Sequence, residues 1–312
     1  MKKFSSVVIV FMFSLFLTSC FGTKELKEDY DIGNFPKLTG DYLGQDKPDS
    51  TAIKFAPHII SRDDSLEGKI VFSPDGNSIY YQVYREDYTS AIYVSNNVDN
   101  KWTEPKEVSF SVGENILLSG ISSNGTTLYL STNVRGKTNL MSIEILQNGF
   151  GEPQTFESPI NSSVSDTGLH VLADNSAYFS SSRDGAAGKD IYYIKDITDQ
   201  NPTVENIGSI INSDDWDFSP CVSSDGSYMI FGSDRLGRKG LAHLYISFYD
   251  EQTGWQNPIN LNDSGAVIND DENNQSNPSL SPDGKYLFFM RHLDDTVMDL
   301  YWVSTDFIEE LK

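Results

Sequence analysis

One carboxylate recurs near the start of each of five successive segments: Glu67, Glu114, Asp166, Asp215 or Asp217, and Glu272. Like-charged carboxyls gathered round one opening raise one another's pKa unless a cation or hydrogen-bond donors neutralise them. Hard cations such as calcium take several oxygen ligands. These six residues are therefore candidate ligand or cation contacts at a channel mouth, with Ca2+ as the candidate ion and a basic peptide as the alternative guest. Two or three of them could also act as the paired carboxylates of a glycosidase. Against both stands a plainer role as solvated turn residues, because the distance from carboxylate to the next turn varies between segments. The acidic loops Asp214-Asp215 and Asn269 to Asn274 lack the EF-hand pattern. No Gly-x-Ser-x-Gly elbow is present, and His58, His170, His243 and His292 show no metal-ligand spacing. No catalytic residue is assigned. A reactive site breaks repeat symmetry with unique residues, and these carboxylates are quasi-equivalent, so binding is favoured over catalysis.

The elements that must position them repeat. Ser73-Pro74-Asp75-Gly76, Ser123-Asn124-Gly125, Ala173-Asp174-Asn175, Ser224-Asp225-Gly226 and Ser281-Pro282-Asp283-Gly284 end 49, 50, 51 and 58 residues apart. Asp-Gly and Asn-Gly suit the positive φ of tight hairpin turns. Each turn is followed by a short β-branched or aromatic run such as Tyr286-Leu287-Phe288-Phe289, which reads as a strand. A strand precedes each turn (Ile70 to Phe72, Leu118 to Ile121, Leu169 to Leu172, Phe218 to Val222, Pro278 to Leu280), and a third follows. Trp102 to Pro105, Phe150 to Pro153 and Trp255 to Pro258 read as an outer edge strand, where proline's missing donor is tolerated. Four antiparallel strands per repeat predict an all-β, five-bladed β-propeller; six blades would require a further degenerate unit. The last repeat lacks its outer strand, and Ile53 to Ile60 is predicted to supply it and close the ring. Arg135, Arg183 and Arg235 recur at one place and are expected to tie hairpins together. The insertion from Asp263 to Asn277 is a candidate binding loop.

Residues 1–20 read as a signal peptide: Lys2 and Lys3 precede an apolar run, Val7 to Leu17, too short to span a bilayer. Residues 21–52 read as a tether and 53–312 as the propeller. The formal net charge is −22 and becomes two units more negative without Lys2 and Lys3. That argues against nucleic acid and anionic head groups as partners. Cys221 is the sole cysteine besides Cys20, so no intramolecular disulfide is expected in a chain acylated at Cys20.

Leu17-Thr18-Ser19-Cys20 resembles the lipobox of bacterial lipoproteins, which implies lipidation at Cys20. The two Ser-Pro-Asp-Gly turns and Ser181 to Tyr192 resemble the repeats of TolB-like β-propellers. The stretch from Ile211 to Gly226 resembles repeats found beside peptidoglycan-binding domains in envelope proteins. The resemblance implies an envelope-located binding scaffold; with lipidation at Cys20, the expectation is a monomer anchored to the outer membrane, on its periplasmic side or at the cell surface, that binds a protein or glycan.

Overall fold

The computed structural model describes residues 35–312 apart from 86, 88, 109, 111–114, 135, 184–187, 237–240 and 295–296. Lys37 to Lys312 form one compact unit. Among the described residues its strands fall into five antiparallel four-stranded units, hydrogen-bonded as four sheets because one parallel bridge, Leu66 to Met298, joins the last unit to the first. The innermost strands are Leu66–Phe72, Ile116–Ile121, Asp166–Val171, Asp217–Val222 and Asn274–Leu280. Each packs beside the inner strand of the next sheet, and the fifth packs beside the first, so the five close into a ring. The Ser-Pro-Asp-Gly type turns join each inner strand to the second strand. Gly76, Gly125, Asn175, Gly226 and Gly284 all have positive φ there, as their residue types require. At each turn except the third, a serine hydroxyl, that of Ser73, Ser122, Ser223 or Ser281, donates to the Asp or Asn side-chain oxygen two residues on, as in Ser281 to Asp283 at 2.7 Å.

The ring is closed by the N-terminal segment. Ile53 pairs with Trp302 and Lys54 with Tyr301, which makes Ile53–Lys54 the fourth strand of the last blade. The ladder is only two residues long, but Phe55 and Ile60 then bury fully into the core between the last and first blades. Leu38 to Leu43 docks on the same core. Trp102 donates from its indole to Gly40 O at 2.7 Å, and Tyr42 packs among Phe72, Tyr286 and Trp302. The segment from Lys37 to Ala52, read from sequence as tether, thus packs as part of the compact unit from its first residue.

A blade buries both faces only against its neighbours, and five apolar clusters accordingly lie one between each pair of adjacent blades. Three outer strands are split in two by their proline: Lys101–Trp102 and Lys106–Glu107 flank Pro105, and the same break occurs at Pro153 and Pro258. The insertion after Asp263 is bonded internally rather than open: Asn262 Oδ1 accepts from the backbone of Ile268 and Asn269, and Leu261, Ala266 and Ile268 are buried. Val267 bridges to Thr51, so this insertion braces the closing segment.

Two devices lock blade to blade. First, a side chain after a buried isoleucine clasps the third strand of the preceding blade. Asn161 bonds both N–H and C=O of Leu140, Asn212 those of Ile191, and Asn269 those of Leu244. Ser61 does the same to Leu300. Second, every inner strand carries a β-bulge at a matching place, between Glu67 and Ile70, Leu118 and Gly120, Thr167 and His170, Phe218 and Cys221, and Ser276 and Ser279 in turn. The bulge explains why three of these strands, those starting at Leu66, Asp166 and Asn274, begin three or four residues before the apolar runs that mark them in the sequence. It breaks the alternation, and it frees Pro220 and Pro278 from donating to the ladder.

Candidate functional site

Among the described residues, the sequence-predicted carboxylates do not line one opening. Asp166 and Asp217 begin inner strands and are fully buried. Arg183 donates to Asp166 at 2.9 Å and Arg235 to Asp217 at 2.7 Å. The second oxygen of each carboxylate accepts from a backbone N–H and hydroxyl, those of Ser162 and Ser213 respectively. Each guanidinium lies over two aromatic rings, Phe179 and Tyr192 or Phe231 and Tyr245. Each also reaches the carbonyl of the clasp isoleucine, Ile160 or Ile211. Arg291 performs the same role on Ile268 from two positions earlier in its strand. These are structural ties, as expected of the arginines. Arg135 and Glu114 lie outside the described residues, as does Cys20.

Glu67 holds the position equivalent to Asp166 and Asp217 and is also fully buried, but its chemistry differs. The equivalent arginine, Arg85, turns outward to Glu107 at 2.6 Å. Glu67 keeps a hydrogen bond from Ser65, and its Oε2 has no protein partner. Burial, with the Asp299 charge adding to it, pushes the Glu67 carboxyl up to about 8. Glu272 is exposed, and Asp215 is half-buried beside the exposed Trp216. Among the described residues, no cluster of three or more His, Cys, Asp or Glu side chains could hold a metal ion.

The mouth that does form lies where the inner strands enter the ring. A cavity of about 490 Å³ is lined by residues from all five inner strands. Its polar groups include Thr167, Ser219, Asn277 and two lysines, Lys69 and Lys189, and Trp216, Phe218 and Met290 supply apolar surface. Asp234 is the one lining carboxylate among the described residues. Lys69 sits at the bulge and also reaches a second cavity of about 430 Å³ on the turn side. Its ammonium donates to Pro278 O at 3.1 Å, and burial pulls its pKa down to about 8. His170 and Cys221 line the turn-side cavity near it. Burial, reinforced by the Lys69 charge, holds His170 down at about 4. Burial raises the Cys221 thiol to about 11. The waist between the cavities is cross-linked from blade to blade: Ser219 Oγ donates to Asn277 Oδ1 at 2.9 Å, and Asn277 Nδ2 to Gly68 O at 2.8 Å.

No protein-family model matches the chain, and no curated protein sequence matches it. Solved structures do. A TolB-type protein of Agrobacterium tumefaciens superposes with a TM-score of 0.50 at 19% identity, covering 78% of this chain and 78% of that one. The fold is a TolB-like β-propeller. TolB from Acinetobacter baumannii gives 0.49 at 16% identity over 77% of this propeller chain and 57% of its own. The β-propeller domain of the Trilobed protease from Pyrococcus furiosus gives 0.41 at 13% identity over 76% and 81%. At these identities the likeness speaks for the propeller architecture alone.

The sequence reading missed both lysines and the asparagine clasps. The clasps had a signal, the recurring Ile-Asn of Ile160-Asn161, Ile211-Asn212 and Ile268-Asn269 ahead of the last three inner strands. Lys69 had none, since a lysine inside Glu67-Gly68-Lys69-Ile70 reads as the solvent face of an alternating strand.

Proposed function

We propose that the chain is a non-enzymatic, lipid-anchored β-propeller of the bacterial envelope that binds a protein or glycan at the entry mouth. The observation that carries this reading is the cavity to which all five inner strands contribute. Concave sites with an apolar floor and a few convergent polar groups are where ligands bind. Glycoside hydrolysis uses two facing carboxylates, whereas Asp234 is the one lining carboxylate among the described residues, which favours binding over cleavage. The TolB-like fold and the lipobox-like Leu17 to Cys20 support an outer-membrane location. Acyl chains at Cys20 would supply the several anchoring signals that stable attachment needs. The test is fractionation with palmitate labelling. The wild-type chain is expected in the outer membrane and labelled, and Cys20→Ala in neither state. A Cys20→Ala chain that stays membrane-bound, or a purified chain that hydrolyses polysaccharide, would count against the reading.

A further inference from the structure

The entry mouth carries positive charge in a strongly acidic protein. Lys69 is 5% exposed, and its ammonium donates to one backbone carbonyl, that of Pro278. An ammonium offers three donors, and a buried charge is costly unless it is paired. Among the described residues, the groups whose charge couples to that of Lys69 are Cys221, a thiol held neutral by burial, and His170. His170 is likewise neutral near pH 7. Lys189 brings a second ammonium to the same cavity, donating to Thr167 Oγ1 at 3.1 Å. Burial lowers its pKa too, with Asp166 opposing.

We propose that the entry mouth is an oxyanion receptor, in which Lys69 and Lys189 take up a carboxylate or phosphate group borne by a ligand whose apolar body rests on Trp216 and Phe218. The inference rests on the reading of this mouth as a binding site and adds the chemistry it selects. A lysine is a point charge without the planar fork of arginine, so carboxylate and phosphate both satisfy it. The cavity, about 490 Å³, admits a group of that size with an aromatic-sized body behind it.

Titration of the full-length chain in detergent with hippurate, its neutral amide hippuramide, and phenyl phosphate tests this, read by calorimetry and tryptophan fluorescence. Hydrogen bonds to charged groups make a difference of roughly tenfold to a hundredfold in affinity. Hippurate or phenyl phosphate is therefore expected to bind at least about tenfold more tightly than hippuramide. The preferred anion identifies whether a carboxylate or a phosphate is read. Lys69→Met is expected to abolish the preference while melting at or above the wild-type temperature, and Lys189→Met to weaken it. Equal binding of hippurate and hippuramide would overturn the oxyanion receptor while leaving the mouth as a binding site. Unchanged hippurate affinity in Lys69→Met, or no binding of either anion at about 20 mM by wild type, would also overturn it. The comparison of acid with amide needs no variant, so it stands even where Lys69→Met fails to fold.

Discussion

Replacing Glu67 with glutamine should make the propeller more stable as pH rises, relative to wild type. The carboxyl is fully buried, its Oε2 has no protein partner, and its pKa is pushed from 4.5 to about 8. The charged groups around it are Asp299, which raises the value further, and Arg62, which is engaged with Asp64 at 2.8 Å. A carboxyl that holds its proton more tightly when folded stabilises the fold fully below the unfolded value near 4.5. That contribution is lost as pH rises through 8, because the folded state then binds more protons than the unfolded state. Every tenfold tightening of proton binding is worth about 1.4 kcal/mol, so from pH 5 to pH 9 wild type should lose up to about 4 kcal/mol that Glu67→Gln does not lose. Urea unfolding of both chains at pH 5, 7 and 9 measures this difference, and every other titrating group cancels in it. The stability gap should open with pH in favour of the glutamine variant. Parallel curves would mean that Glu67 is ionised and compensated throughout, and the reasoning from its burial would be wrong.

Phe55→Ala should destabilise the ring by about 3–5 kcal/mol, as expected for emptying a fully buried aromatic site; a loss under about 1 kcal/mol in chemical denaturation would show that the closing segment contributes little. Asn212→Ala removes the clasp on both backbone groups of Ile191. It should cost about 2–4 kcal/mol, because a buried donor and acceptor are left unmade, and hydrogen exchange at Ile191 should quicken. Asp217→Asn leaves the half-buried Arg235 guanidinium without its countercharge. It should lower stability by about 3–5 kcal/mol, and a melting temperature equal to wild type would refute a paired role.

The ring was legible from the turns because their chemistry is local. Asp-Gly or Asn-Gly at Gly76, Gly125, Gly226 and Gly284, and Asp-Asn at Asn175, mark positive-φ positions, and all five adopt them. The closing strand was legible because the last repeat lacks a partner for Leu300 to Val303, and Ile53–Lys54 supplies it. The site was not. Asp166, Asp217 and Glu67 look alike in sequence, yet whether such a carboxylate is paired depends on which way one arginine turns: Arg183 and Arg235 inward, Arg85 outward to Glu107. That choice is tertiary and leaves no local mark. The bulge is equally silent, since the residues it leaves unpaired, from Gly68-Lys69 and Ser119 to Asn277-Pro278, share no one residue type.

Repetition separates the groups that hold the ring from the group that gives the mouth its character. The clasp and the buried arginine recur in several blades at matching positions, which marks them as parts of the blade-to-blade joint. Lys69 does not recur. Counted back from the turn, its equivalents are Leu118, Gly168, Ser219 and Asn277, so the bulge itself has no need of an ammonium. Burial depresses the Lys69 pKa from 10.5 to about 8, so the unfolded chain holds that proton more tightly and stability rises with pH between those two values. At pH 7 the penalty is complete and amounts to at most about 3 kcal/mol. The other ionisable groups facing it, His170 and Cys221, are neutral there and do not relieve it. Lys69→Met, which keeps the stem, should therefore be more stable than wild type at pH 7, and the advantage should shrink toward pH 10. A bound anion stabilises only the chain that binds it, so hippurate should narrow the same gap at pH 7. A variant no more stable than wild type would mean that the ammonium is already compensated within the fold, and the mouth would then have no unmet charge to offer a ligand.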